Sequence, residues 1–318
     1  MSKPVQLAEP QLTVIIVSYN TRDLTLAALR TLFSTTLVTQ FKVVVFDNAS
    51  NDGSADAVAQ DFPQVELVRS VENLGFARAN NMVAACATTE FLLLLNPDTE
   101  CHPGAVDNLV EFAQAQPQAG IWGGRTVFSD GSLNLASCWQ RITLWSAFCM
   151  SVGLTAAFPR SSIFNTEAMG GWGRDTVRRV DIVSGCFFLV RREIWARLGG
   201  FDLRYFMYGE EADLCLRAHR MGFQPMVTPE AEIVHLEGAS SSNLARKRQM
   251  VAKARMTLIR DHWPAWQVPF GVGLMWLWGA VRFAASRPFA WASSEEKRAR
   301  AAYWADVWRH RRDWLAGY

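Results

Sequence analysis

This 318-residue sequence is poor in charge, at 19% Asp, Glu, Lys and Arg against 50% apolar residues, and it has no long low-complexity tract. Those absences exclude a disordered chain and leave enough apolar material for one large domain or two smaller ones. The six cysteines, at 86, 101, 138, 149, 186 and 215, lack the paired spacing of metal or redox motifs. A reducing compartment fits them. Residues 1–11, MSKPVQLAEPQ, contain no apolar core of a secretion signal, so a cytosolic location is expected. No glycine-rich loop ending in Lys and then Ser or Thr occurs, and the first strand runs into SYNTRD rather than a glycine cluster. The phosphate loops of nucleotide hydrolases and dinucleotide enzymes are thereby excluded, and any bound phosphate must be held in another way.

Long apolar runs are scarce as well. VPFGVGLMWLWGAV (268–281) is almost entirely apolar, but it is shorter than the roughly 20 residues that span hydrocarbon, contains Pro and Gly, and is followed at once by Arg282. The formal net charge of +2 conceals a division: residues 244–318 hold 14 Lys or Arg against 5 Asp or Glu, so residues 1–243 sum to −7. A nucleic-acid binder needs a basic face along its domain, which the acidic first part does not offer. Eight of the thirteen tryptophans lie beyond residue 243, among the basic residues. Two readings stand for this segment: it lies in a lipid headgroup layer, or it packs as helices on the main domain with its tryptophans as core.

What is present is a repeating alternation. LTVIIVSYN (12–20), FKVVVFD (41–47), QVELVRS (64–70) and EFLLLLNP (90–97) read as strands. Between them, LTLAALRTLFS (24–34, after Asp23 as a possible cap), a short segment from about Ser54, and GFARANNMVAACA (75–87) read as helices. Such alternation implies an α/β fold with a mostly parallel sheet and helices on both faces. In these sheets ligands collect beyond the carboxyl ends of the strands, which is where SYN, DNAS, ENLG and NPDTE fall. Further on, a helix begins near Pro103, residues 123–134 resemble a hairpin around Asp130 and Gly131, and residues 135–179 are aromatic and irregular. VDIVSGCFFLVRREIWARLGG (180–200) reads as a strand and then a helix from Arg191 to Leu198, stopped by Gly199 or Gly200. A helix with an acidic start (209–223) and a strand (224–238) ending in His235 and Glu237 follow.

Several of these residues suit chemistry. Asp98, fixed at the exit of a four-leucine strand with Asn96 and Glu100 beside it, can bridge a divalent cation to a diphosphate, or belong to an Asx turn. His235 can complete a metal shell through a ring nitrogen. Glu210, Glu211 and Asp213 crowd one helix start; like charges raise one another's proton affinity, which suits a general base, although capping and a solvated face are alternatives. The Asp47 carboxylate can accept the imide N–H of a pyrimidine base with Tyr19 stacking nearby, or both can be turn residues.

Taken together, VSYN (17–20), DNASNDGS (47–54), NLGFARANN (73–81), LLNPD (94–98), VSGCFFLVRRE (183–193), GGFDLRYFMYGEEADLCLRA (199–218) and VHLEG (234–238) resemble, in order and spacing, the inverting nucleotide-sugar glycosyltransferases of family 2 with the GT-A fold, nearest in style to the rhamnosyltransferase-like branch. The resemblance covers residues 11 to about 240. It implies one transferase domain (11–240), with a nucleotide-binding half (11–100) and an acceptor-binding half (101–240), followed by a helical, basic, Trp-rich segment (241–318). It further implies that Tyr19, Asp47, Asn73, Arg78, Asn96 and Asp98 bind the donor and that Asp98 and His235 hold Mg²⁺ or Mn²⁺. Glu211 would be the base, with Glu210 helping to bind the acceptor. Asn96 and Glu211 both depart from the pattern, since many relatives carry Asp at each position.

The implied reaction moves a sugar, with dTDP-rhamnose as the favoured donor, to a glycan or polyprenyl-linked saccharide in cell-envelope polysaccharide synthesis. The protein would then sit peripherally on the cytoplasmic face of the inner membrane. The competing readings are a catalytically inactive nucleotide-sugar-binding module, and a sugar nucleotidyltransferase. The latter should carry a basic Gly-rich stretch where this chain has VSYNTRD.

Overall fold

A computed structural model describes residues 9–236 and 244–318; Glu237 lies outside the described residues. The amino-terminal third alternates as the sequence predicts: β1 (Leu12–Ser18), α1 (Arg22–Thr35), β2 (Phe41–Asp47), α2 (Ser54–Asp61), β3 (Glu66–Arg69), α3 (Gly75–Cys86) and β4 (Phe91–Leu95). β5 (Thr99–Cys101), α4 (Ala105–Ala115), β6 (Ile121–Val127), β7 (Leu133–Asn134), β8 (Cys138–Trp139), α5 (Leu144–Val152) and α6 (Leu154–Ala157) come next. The chain then forms β9 (Arg178–Arg179), β10 (Ile182–Val183), β11 (Phe187–Arg191), α7 (Arg192–Leu198), α8 (Glu210–Arg220) and β12 (Met226–His235). The carboxyl-terminal segment is α9 (Leu244–His262), α10 (Val268–Ser286), α11 (Glu295–Arg309) and α12 (Arg311–Ala316).

The main sheet runs β3-β2-β1-β4-β11-β6-β12-β5. β3, β2, β1 and β4 are mutually parallel, β11 is antiparallel to both β4 and β6, and β12 returns parallel to β6. All residues of β1 and β4 are buried, because helices cover both faces, and this is why they read as unbroken apolar runs. The period of two divides them cleanly. Ile15, Val44, Phe46, Leu92 and Leu94 join the core on one face, while Val14, Ile16, Val43, Val45, Leu93 and Leu95 join the core on the other. The parallel register aligns Ser18 with Asp47, so the strands end at a common edge.

Three local readings change. α1 begins at Arg22 after Thr21, and Asp23 lies in its first turn instead of capping it; the Arg22 N–H donates to Asp52 across the loop, 2.9 Å. The irregular stretch 135–179 contains α5, closed by a reciprocal capping box between Thr143 and Ser146. Serine at the third helical position hides that box from a search for Glu or Gln there. The apolar run at 268–281 is part of a longer helix, and Val268–Trp291 is long and apolar enough, by length and composition alone, to cross a membrane. Pro269 sits in its first turn, where the missing N–H has no cost, and Gly271 and Gly279 are buried against α9, α11 and α12 side chains.

The last four helices form a core of their own around Ala252, Met256, Ile259, Met275, Trp278, Val307 and Trp314. The reading of the tryptophans as core holds for Trp278 and Trp314, whereas Trp266, Trp276 and Trp291 are exposed.

Candidate active site

The polar residues that follow β1 and β2 are stitched together. Asn20, in the left-handed region at φ 53°, donates its N–H to Ser50 Oγ, and its Oδ1 accepts from Asn51 N–H. The Asp52 carboxyl accepts from Arg22 N–H and from the Ser54 N–H and hydroxyl; these donors outweigh the burial that opposes charge and hold its pKa below the usual carboxylate value. Asp47 is buried at the end of β2, with Oδ2 accepting from Ser50 N–H and Oδ1 left without a partner in a dry setting. An unsatisfied buried acceptor at a strand's carboxyl end calls for a donor from a ligand. Tyr19 is 45% exposed one residue beyond β1, so its ring is free to be covered.

Asn73 acts on the protein itself. Its Oδ1 accepts from Asn48 Nδ2 and from Gly75 N–H, while Leu74 N–H donates to Asn48 Oδ1. Asn48 therefore clamps the NLG loop against β2, a role that sequence reasoning missed because the residue sits in a run of turn formers. Arg78 is exposed in the first turn of α3.

At the other side of the edge, β5 pairs with β12 so that Thr99 stands opposite His235. Leu236 N–H donates to the Asp98 carbonyl, and this brings Asp98 Oδ1 to 3.5 Å from His235 Nε2. Both residues are buried, and His235 Nδ1 has no partner. Burial opposes charge on the ring, but the Cys186 sulfur and the Asp98 carboxylate prevail and raise its pKa. Asn134 Nδ2 donates to the His235 carbonyl and fixes the strand end. Asn96 contributes its backbone: its N–H donates to the Cys186 carbonyl and its carbonyl accepts from the Thr99 hydroxyl. No group of three or more His, Cys, Asp or Glu able to hold a metal occurs among the described residues. One carboxylate and one imidazole are donor types that suit a divalent cation, which would have to displace the proton that Cys186 and Asp98 favour on the ring.

The acidic helix completes the cleft. Tyr208 and Gly209 both have left-handed backbone, φ 70° and 95°, which turns the chain sharply into α8. A Cβ on Gly209 would stand 2.8 Å from Ala254 of α9, so glycine also permits that contact. Glu210 is 3% exposed with Oε2 unpartnered; burial first, and the Glu211 charge second, raise its pKa well above the carboxylate norm. Glu211 is half-buried, accepts from Gly209 N–H at 3.2 Å, and has its pKa raised by burial. A methyl group placed on Gly185 would lie 3.8 Å from the Glu211 Cβ and 3.5 Å from the Phe76 ring. Glu211 thus faces the strand turn whose next residue, Cys186, touches His235 and Asn96.

Asp213 does not belong to this set. Its carboxylate is taken by Arg217 at 2.7 Å and by His262 Nε2 at 2.8 Å, so it is a structural anchor rather than a third acid of the site. His262, given no role by its sequence context, ties α9 to the acidic helix. The NLG loop and the acidic segment also meet directly, Phe76 N–H donating to the Phe206 carbonyl at 3.2 Å.

The sequence model described as Glycosyl transferase family 2 matches residues 13–199. An N-acetylglucosaminyl-diphospho-decaprenol L-rhamnosyltransferase of Mycobacterium tuberculosis is 29% identical over 232 residues, covering 67% of this chain and 72% of that protein. Rhamnosyltransferase WbbL of Escherichia coli is 27% identical over 206 residues, covering 61% of this chain and 72% of WbbL. Among solved structures, the mannosyltransferase PcManGT from Pyrobaculum calidifontis, in complex with GDP-Man and Mn²⁺, superposes with a TM-score of 0.56 at 22% identity, over 96% of this chain and 83% of that one. That likeness shows the GT-A fold: a helix-flanked central sheet with a C-terminal helical extension.

Proposed function

We propose that this chain, which belongs to glycosyl transferase family 2, is an inverting transferase that moves a sugar from a nucleotide diphosphate to a hydroxyl of a glycan or polyprenyl-linked saccharide. Glycosyl transfer from a nucleotide-sugar donor is the family's general activity; the rest is our reading. The observation that carries it is the gathering of Asp98, His235, Cys186 and Glu211: Asp98 pairs with His235, Cys186 lies against His235 and Asn96, and the Glu211 Cβ would stand 3.8 Å from a methyl group placed on the neighbouring Gly185. A diphosphate site and a general base gathered in this way suit a single displacement.

In this reading Asp47 accepts from the base and Tyr19 stacks on it, with Arg78 and Asn96 in the same donor site and Asn73 shaping the pocket wall. The Glu211 carboxylate removes the proton of the acceptor hydroxyl. The freed oxygen forms its bond to the anomeric carbon from the face opposite the diphosphate, whose bond to that carbon breaks, and the configuration inverts. A divalent cation, Mg²⁺ or Mn²⁺, held by Asp98 and His235 would supply positive charge against the leaving diphosphate. Glu211 is favoured over Glu210 as the base because it is the more exposed of the two and its Cβ lies near Gly185, whereas Glu210 is enclosed and adds its charge to the burial that raises the Tyr318 pKa.

The two rhamnosyltransferase relatives favour rhamnose as the sugar, for which we take dTDP-rhamnose as donor, and the diphospho-decaprenol acceptor of the first favours a polyprenyl-linked acceptor. We assign residues 11–240 to the transferase domain and 241–318 to an accessory segment that rests on the cytoplasmic face of a membrane. α10 supports lying on the surface rather than crossing it, since Arg282 and the packing of α5, α9 and α11 occupy one side of the helix. A thermal-shift series with UDP, dTDP and GDP sugars, with and without Mg²⁺ or Mn²⁺, tests the reading. A metal-dependent rise with one nucleotide, accompanied by turnover, supports it; a rise without turnover leaves a nucleotide-sugar-binding module that has lost its activity, and no rise with any donor overturns the donor site.

A further inference from the structure

Away from the cleft, a cavity of about 260 Å³ opens between α5, α9, α10 and α11. Three arginines line it, Arg248, Arg255 and Arg282, together with Met150, Trp278 and Trp304 and no carboxylate. Among the described residues only Arg255 has an acidic partner, Glu167 at 2.7 Å, and its Nε is buried without one. Arg248 donates to the Tyr303 hydroxyl. Arg282 donates to the carbonyls of Met150, Ser151 and Trp278 and lies 5.3 Å from the Trp278 ring centre. Burial, and after it the charge of Arg248, push the Arg282 pKa down to about 10, which is the mark of cations gathered without enough counter-charge.

We propose that this cavity binds the phosphate head of an amphiphile, with the first carbons of the hydrocarbon lying against Met150, Trp278 and Trp304. Guanidinium groups match phosphate geometry in pairs, and the apolar walls exclude the water that would compete. Free inorganic phosphate makes no use of tryptophan and methionine walls. A whole nucleotide sugar needs more room, since pockets for ligands of drug size run from roughly 300 to 1,000 Å³. The head belongs either to a bilayer phospholipid or to a prenyl phosphate carrier; both present a phosphate ester on a hydrocarbon tail. The site goes beyond the transfer reaction and is tested without a donor.

The test titrates full-length protein with farnesyl phosphate, followed by tryptophan emission, beside farnesol and inorganic diphosphate. Co-sedimentation with phosphatidylcholine vesicles, with and without phosphatidylglycerol, forms the second arm. Arg248→Glu is the reporting variant, because its one side-chain partner among the described residues is a tyrosine hydroxyl, whereas Arg282 also ties down α5. Arg309→Glu, exposed on α11, controls for general charge. Arg248→Glu should weaken farnesyl phosphate binding by about tenfold or more and Arg309→Glu should not. If only vesicle binding falls, the head is that of a bilayer lipid; if farnesyl phosphate binding falls, it is that of a carrier. Equal losses in the two variants, farnesol binding as tightly as its phosphate, or inorganic diphosphate binding as tightly as the amphiphile would each overturn the assignment.

Discussion

The edge of the sheet and the joint between α8 and α9 both bury ionisable groups, yet they treat them in opposite ways. At the edge, Asp47 Oδ1, His235 Nδ1 and, beside them, Glu210 Oε2 are enclosed and unpaired. At the joint, Asp213 is equally buried but fully engaged by Arg217 and His262. Buried polar groups in folded proteins are nearly always satisfied, so unsatisfied ones that also sit at the carboxyl ends of strands, as Asp47 Oδ1 and His235 Nδ1 do, suit a ligand, although the Tyr205 hydroxyl near the joint is unpaired as well. The difference separates two acids on one helix, Glu211 and Asp213, whose residue types alone would suggest a single role.

Substitutions can break that separation. The largest effect is expected from Asp98→Ala, which removes the one carboxylate paired with His235 among the described residues. Turnover should fall by about a thousandfold or more, while the fold survives a loss of about 1–3 kcal/mol from the buried pair. A variant that retains turnover would remove the metal role. Glu211→Gln comes next: a lost general base costs about 10²–10⁴-fold in kcat, and donor binding read by thermal shift should persist. If kcat holds in Glu211→Gln and collapses in Glu210→Gln, the base is Glu210.

The edge of the fold is legible because its signals are local. Asp47 and Asp98 each terminate an apolar strand, and β-alternation followed by a polar turn needs no distant partner to be recognised. The register that aligns Ser18 with Asp47 follows from parallel pairing. The joint is not legible, because its meaning lies in contacts far apart in sequence. His262 meets Asp213 across 49 positions, and Asn134 reaches the His235 carbonyl across 101. The eight carboxyl-terminal tryptophans show the same limit: composition sets them beside arginine, while only packing decides that Trp314 is core and Trp291 is surface.

His262→Ala sharpens the comparison from the structural side. Asp213 keeps Arg217 but loses its second donor in a dry setting, at a cost of about 1–3 kcal/mol. Unfolding by heat or urea should register this loss, with KM for the donor unchanged. A fall in kcat that His262→Gln restores would show that α9 also positions the acidic helix, and a variant as stable as the parent would show that the joint bears no strain.

The smallest effect is expected from Glu210→Gln and has the opposite sign. A carboxyl whose pKa is raised by folding binds its proton more tightly in the native state than in the unfolded one. Its contribution to stability is therefore present below the unfolded pKa, near 4.3, and is lost as pH climbs toward the raised native value. Glutamine carries no charge to bury, so the variant should match the parent at about pH 4 and melt a few degrees above it at about pH 8, where the parent must either hold a proton against solution or enclose a bare carboxylate. Parallel melting curves across that range would mean that Glu210 finds a partner in solution, and the contrast between an unsatisfied edge and a satisfied joint would then rest on Asp47 and His235 alone.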